Sequence, residues 1–512
     1  MSRLSFSRPG EGAHMYSAVR QRALSHSSLK GIAALAALAL LAGCASLSPD
    51  GGFGDVRQAV TARAGAAAGE AMQWQRSDKA ADSVRERVAE LLAQPLGADD
   101  AARIALLNHP GLQAEYAELG IAEAELVQAS RWRGPRLSFA RLVRGDELEI
   151  ERGVFFDVLG LLAIPLSTKA QGERFEAAKL RAAGAALRVA QEARRAWIAA
   201  VSARQVVFYA GQVKEAADAG AELGRRMAAA GNWSKLAEAR EQSFRVEAVA
   251  QEARARSAAT AATERLARAL GLASTSVIKL PDRLPDLPKT PDAALPVPLR
   301  DLAAESSEAL EARALAQRLD VQAARRDAES LARSLGLANA TRYIDLVELG
   351  YLRKTHAPDL PQRGWELDLR LPLFDFGQAR TARAEALYLQ AVNRAREAAV
   401  RARSEVRETH AALRERHELA RHYLEEVLPL RKLISEEILL RYNGMLVSVF
   451  ELLADARAQS ASVSAAMEAL RDYWLAESDF QMALTAQSER PGAVATGAVA
   501  NAAPAAGAAA GH

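Results

Sequence analysis

A single cysteine in 512 residues excludes a disulfide framework, a CxxC redox pair and a cysteine-rich zinc site. Aromatic residues are scarce at 5%, although half the chain is hydrophobic. The apolar content is visibly alanine with some leucine and valine, which suits long helices with thin seams better than a large globular core. An excess of charge is missing too: 66 Lys+Arg stand against 63 Asp+Glu, a formal +3 that argues against a general nucleic-acid binder. No segment reaches 18 uninterrupted apolar residues, so a transmembrane helix is not expected. If such a chain crosses a membrane, it must do so as strands of a closed barrel. Gly-rich phosphate loops and nucleophile elbows are absent, and no Cys/His pairing stands out. The expectation is no catalytic residue, no enzyme activity, no cofactor and no metal centre.

What is there begins with the place of that cysteine. Cys44 follows five basic residues (Arg3, Arg8, Arg20, Arg22, Lys30) and the apolar run Gly31 to Gly43, in the order of a signal peptide's n-region and h-region. The thirteen-residue run rises only about 20 Å as a helix, short of a bilayer core of about 30 Å. Leu41-Ala42-Gly43-Cys44 resembles a bacterial lipobox, in which small residues admit signal peptidase and an acylated cysteine becomes the new N-terminus. The bland alternative is a structural cysteine buried in an apolar helix. Resemblance to lipoproteins implies that Ala45, where an Asp would retain the product, releases it to the outer membrane, and Met15 offers an alternative start. Loss of residues 1–43 removes five basic residues and one acid, Glu11, taking the net charge from +3 to about −1.

Beyond this leader, residues 44–98 read as a spacer and equatorial segment, Gly- and Ala-rich without periodicity to about residue 80, and 491–512 as a disordered Ala/Gly tail. A linker at 280–303 holds Pro281, Pro285, Pro288, Pro291, Pro296 and Pro298 and is predicted as neither helix nor central strand. It separates two repeats, 99–279 and 304–490, that share an order of elements. Each opens with a helical region, 101–131 interrupted at Pro110 and 306–335. Strand-like segments follow: Arg136 to Val143 and Glu147 to Phe156, then Thr341 to Tyr351 and Trp365 to Leu373. Trp365 to Leu371 alternates strictly between apolar and charged residues. Each repeat then reaches a proline, Pro165 or Pro372, and enters a long Ala-rich helical stretch.

Residues 166–280 contain no proline, and a helix of half that span would be on the order of 90 Å long. Val392, Ala395, Ala399, Ala402, Val406, Thr409 and Leu413 follow 3-4 spacing, a narrow seam for a neighbouring helix. The rods are expected to turn back near Gly231 and Gly444, with a kink or restart at Pro429.

The strings Ala105-Leu106-Leu107-Asn108-His109-Pro110-Gly111-Leu112, Leu119 to Ala124, Leu371-Pro372-Leu373-Phe374-Asp375-Phe376-Gly377 and Arg441-Tyr442-Asn443-Gly444 with Leu452-Leu453, in this duplicated frame, resemble the TolC-like outer membrane efflux protein family, in particular its lipid-anchored branch. The resemblance covers roughly residues 85–487. It implies a mainly α fold with long antiparallel coiled-coil hairpins and four strands per protomer. Three protomers would close a 12-stranded barrel and an α-helical tunnel. It also implies a homotrimer in outer membrane lipid, a periplasmic adaptor protein docking on the hairpin turns at Gly231 and Gly444, and an inner-membrane pump of the resistance-nodulation-division type. A protein-secretion channel and a lipid-tethered periplasmic scaffold without a pore are the alternatives.

In such a barrel Glu366, Asp368 and Arg370 would face the lumen and Trp365, Leu367, Leu369 and Leu371 lipid or a protomer interface. A half-buried strand of a soluble sheet gives the same alternation. By match to the family, a periplasmic gate falls at Phe450, Asp455 and Arg457, with Glu451 on the face of Asp455. Ala454 stands where an Asp is common, and a one-residue shift turns a side chain about 100° around a helix. Helix-surface ion pairs are the plain reading of the same charges. His410, His417 and His422 lie in one rod, as a metal relay or as solvated surface residues.

Overall fold

The computed structural model describes residues 46–487 apart from 145–146, 292, 294, 296–305, 345, 357–359 and 373. The leader and lipobox, Cys44 included, and the tail from Pro491 lie outside the described residues. The first series of elements is α1 (Phe53–Ala64), α2 (Ala66–Glu70), α3 (Asp78–Leu92), α4 (Ala98–Asn108), α5 (Pro110–Ser130), β1 (Arg136–Arg144), β2 (Glu147–Asp157), α6 (Val158–Ala229) and α7 (Lys235–Ala269). The second is α8 (Ser307–Gln317), α9 (Leu319–Ala340), β3 (Leu346–His356), β4 (Gln362–Arg370), α10 (Gln378–His422), a π-helical turn (Tyr423–Val427), α11 (Leu428–Asn443) and α12 (Val449–Thr485). Helix pair, two strands and helical hairpin thus occur twice.

Three local expectations are corrected. Residues 53–70 are helical rather than a spacer, because Val56 and Val60 are fully buried and Phe53 packs edge-on against Tyr116 at 4.9 Å. The third strand starts at Leu346 instead of Thr341, since α9 continues to Ala340. Pro165 lies inside α6, whose start is fixed earlier: Asp157 Oδ1 accepts from the Gly160 N–H at 2.7 Å. Pro429 follows directly on the π turn, in a helix that runs unbroken from α10 into α11, so the ladder is re-spaced where proline has no N–H to give.

The described residues form two compact units. One comprises 46–51, 120–175 and 329–388 and contains the sheet, antiparallel throughout in the order β1-β2-β3-β4. Leu137, Val154, Tyr351 and Trp365 stand abreast across the four strands, and so do Phe139, Arg152, Arg353 and Arg363. Phe155, on the opposite face, lies over Gly350, where a Cβ would collide with its ring. The chain leaves β4 through a tight turn with Phe376 at φ 46° and Gly377 at φ 70°. Asp375 Oδ1 accepts from the Gly377 N–H at 2.9 Å, and Arg342 Nε donates to the Phe376 carbonyl at 3.2 Å, which accounts for the Phe-Asp-Phe-Gly string.

The other unit comprises 52–119, 176–328 and 389–487. Its core joins Leu310 and Ala314 of α8, Val406, Leu413 and Ala420 of α10 and Ala469, Tyr473, Phe480 and Ala483 of α12. Of the expected seam, Ala402, Val406, Thr409 and Leu413 are buried, and the spacing continues to His417 and Ala420. The proline-rich segment is strapped to this core by three side-chain donors. His417 Nε2 bonds the Pro288 carbonyl at 2.8 Å, Trp474 Nε1 that of Pro285 at 3.2 Å, and the Tyr473 hydroxyl that of Pro291 at 3.3 Å. The Asn108 side chain closes a similar junction, donating to the Leu270 and Gly271 carbonyls at 3.1 and 2.8 Å.

Candidate functional site

The turns of the two helical hairpins bring together residues far apart in sequence. Gly231, at φ 75°, reverses the chain between α6 and α7, and Ser234 caps α7 by accepting from the Ala237 N–H at 3.2 Å. Between α11 and α12 the positive φ falls on Met445, at 62°, not on Gly444, and Met445 and Leu446 are almost fully exposed. Ser448 caps α12. Phe450, in its first turn, stacks on Trp233 with ring centroids 4.5 Å apart, so the two turns touch through aromatic faces.

Arg457 pairs with neither Glu451 nor Asp455. Its guanidinium bonds Glu241 of α7 at 2.6 Å and lies over the Phe244 ring, 4.4 Å from the centroid. Glu241 is only 4% exposed, so this pair is far less screened than an exposed one. Asp455 is buried, and its Oδ2 has no hydrogen-bond partner among the described residues. Glu451 is exposed on the first turn of α12, where a carboxylate favours the helix N-terminus. Trp233, Glu241 and Phe244 escaped the sequence reading. The one local signal was a tryptophan two residues after the turn glycine.

The sheet sorts its side chains by face. One carries Leu137, Phe139, Val154, Phe156, Val347, Leu349, Tyr351, Trp365, Leu367 and Leu369. Trp365 is 76% exposed and Leu137 74%. The opposite face carries Glu366, Asp368 and Arg370 together with Glu149, Glu151, Asp157, Glu348, Arg136 and Lys354. Arg136 bonds Glu348 at 2.5 Å there, and Lys354 pairs with Glu151. Among the described residues β1 pairs only with β2 and β4 only with β3, so both outer strands leave a ladder edge open.

The histidines share no site. His417 is buried, bonded to the strap and edge-on to Tyr473, His410 stacks on Phe480, and His422 pairs with Glu426 at 3.1 Å. No cluster of three or more His, Cys, Asp or Glu suited to a metal occurs among the described residues. His417 is therefore a structural donor, neither relay nor solvated.

Two buried ionic groups were also missed. Arg318, fully buried between α8 and α9, bonds Asp320 at 2.8 Å, Glu405 at 2.7 Å and the Ala483 carbonyl at 3.1 Å. Glu477 of α12, 6% exposed, lines a cavity of about 430 Å³ with Asp99, Arg194, Trp197 and Gln481. Burial pushes its carboxyl up to about 7, against the opposing pull of the Arg194 guanidinium and the bond from Gln481.

Among the described residues no helix is long and apolar enough to cross a membrane. No protein-family model matches the chain, and neither does any curated protein. Solved structures do. CusC, studied for transmembrane channel formation, aligns at TM-score 0.61 and 17% identity over 76% of this chain and 92% of its own. The outer membrane protein VceC of Vibrio cholerae aligns at 0.60 and 17%, over 80% and 97%. The outer membrane channel MtrE of Neisseria gonorrhoeae, in its open state, aligns at 0.57 and 17%, over 76% and 88%.

Proposed function

We propose that this chain, which carries the fold of the TolC-like outer membrane channels, is a passive outer membrane duct for the efflux of small molecules or metal ions, three copies of which close one barrel. The observation that carries this reading is the sheet: four strands, both edges open, with an exposed face of apolar side chains. Four strands cannot enclose a lumen, and open edges are not tolerated in hydrocarbon, so the strands need further copies of themselves. Exposed aromatics bracket the apolar face, Trp365 and Phe139 toward the strand connections and Phe374 and Tyr343 toward the helices. From Trp365 to Phe374 the chain reaches at most about 30 Å when extended, which a strand tilt of about 35–45° projects to about 21–25 Å, close to the apolar band of about 25 Å.

In this assembly Glu366, Asp368 and Arg370 line the lumen, the helical hairpins form a periplasmic tunnel, and Cys44 carries the lipid anchor. An adaptor protein docks at the hairpin turns near Gly231 and Gly444, and an inner-membrane pump of the resistance-nodulation-division type supplies the energy. Phe450, Glu451, Asp455 and Arg457 form the gate, with the Arg457–Glu241 pair and the Phe450–Trp233 stack holding α12 against the α6–α7 hairpin of the same chain. Chemical cross-linking in membranes should stop at the trimer. In planar bilayers, Arg457→Ala combined with Phe450→Ala should raise single-channel conductance. A chain that stays monomeric in mild detergent and conducts no current would refute the duct. Parental conductance in an assembled double variant would place the constriction elsewhere.

A further inference from the structure

We propose that the apolar sheet face binds the phosphomonoester headgroup of a membrane lipid through Arg152, Arg353 and Arg363, with Arg141 beside them. The proposal rests on the reading of this sheet as barrel wall.

Arg152 of β2, Arg353 of β3 and Arg363 of β4 are directly abreast on three adjacent strands, and Arg141 of β1 lies one row further toward the strand connections, opposite Ile150. Abreast residues have Cβ atoms only about 5 Å apart, and like charges so placed repel. All four arginines are exposed, and none makes an ion pair among the described residues. Among the described strand residues their face offers no acid: Glu149, Glu151, Glu348, Glu366 and Asp368 all project from the opposite face. The acids therefore sit where water reaches them, whereas the arginine row sits abreast of Phe139 and one row beyond Trp365 and Tyr351, toward the end of the apolar band. An uncompensated guanidinium row at a bilayer boundary calls for an anion from the bilayer itself.

The chemistry of that anion follows from the charge count. Three to four guanidiniums without counter-charge suit a doubly phosphorylated lipid, because each phosphomonoester carries about −1.5 to −2 and accepts the forked donors of arginine, while a phosphodiester carries only −1. The row lies toward the connections at 145–146 and 357–361, the end opposite the helices, hence in the leaflet facing the cell exterior when the helices are periplasmic.

Native mass spectrometry of the full mature assembly in mild detergent, titrated with bisphosphorylated lipid A or with phosphatidylglycerol, tests this. Wild type should retain lipid A at least about tenfold more tightly than phosphatidylglycerol, and the combined Arg152→Gln, Arg353→Gln, Arg363→Gln variant should lose about that factor. The single Arg353→Gln variant, at the centre of the row, should lose part of it and serves if the triple variant assembles poorly. Equal retention by wild type and an assembled variant, or equal retention of the two lipids by wild type, would overturn the proposal. Bilayer conductance of the same samples separates the two readings: a conducting wild type without lipid A preference sinks only the lipid site, and one that never conducts sinks the barrel with it.

Discussion

Glu477→Gln should stabilise the protein in a pH-dependent manner. The glutamate is 6% exposed and its carboxyl titrates at about 7, against 4.5 when unperturbed. The folded state therefore holds this proton more tightly than the unfolded state. The stability from the protonated form is complete below 4.5 and is lost as pH rises through 7. A shift from 4.5 to 7 corresponds to about 3 kcal/mol between the two limits, at about 1.4 kcal/mol per unit. Glutamine keeps the shape and can still meet Gln481, but carries no charge into the cavity. Thermal unfolding followed by tryptophan fluorescence should show the variant little changed at pH 4.5 and clearly above wild type at pH 8. The reasoning fails if the two differ equally at both values, or if the variant is less stable at pH 8. The latter would mean that attraction to Arg194 outweighs the burial penalty.

Arg318→Ala should cost about 3–5 kcal/mol, because it strands the partly buried carboxylates of Asp320 and Glu405 and leaves the Ala483 carbonyl without this donor. A loss below about 1 kcal/mol in denaturant unfolding would show that the site relaxes freely. Gly350→Ala should overpack the sheet against Phe155 by about 1–3 kcal/mol, read in denaturant unfolding, and be relieved by Phe155→Leu. Cys44→Ser should abolish acylation, which mass spectrometry of the mature N-terminus would reveal. An unmodified wild-type chain starting elsewhere would sink the lipobox reading.

Much of the fold is written in short-range patterns. The alternation from Trp365 to Leu371 reports how β4 sorts its apolar and charged side chains between the two sheet faces, and the 3-4 spacing from Ala402 to Leu413 reports which side of α10 meets the core. Both depend on periodicity alone, as does the duplication. The partners of Arg457 do not: Glu241 lies 216 residues away on another hairpin, and no local rule selects it among the acids of α7. Arg318 is similar, an arginine in a charge-rich chain whose full burial becomes evident only once α10 and α12 close over it. Residues 53–64 were missed because their burial depends on two valines and one aromatic contact rather than on a repeating stripe. Asp455 lay between the two cases, since helical geometry turned it from its neighbours but could not say what it would meet.

The strap over α10 and α12 is also a case of peptide recognition within one chain. Its three bonded carbonyls, those of Pro285, Pro288 and Pro291, are spaced by three residues. Three residues make one turn of a polyproline II helix, which has no internal hydrogen bonds and leaves its carbonyls to outside donors. A tryptophan, a histidine and a tyrosine supply them, much as aromatic-lined grooves receive proline-rich ligands. The connection between the repeats is therefore a bound ligand as well as a tether. A Gly/Ser linker of equal length would join the same ends yet leave the Trp474, His417 and Tyr473 donors without a register to read.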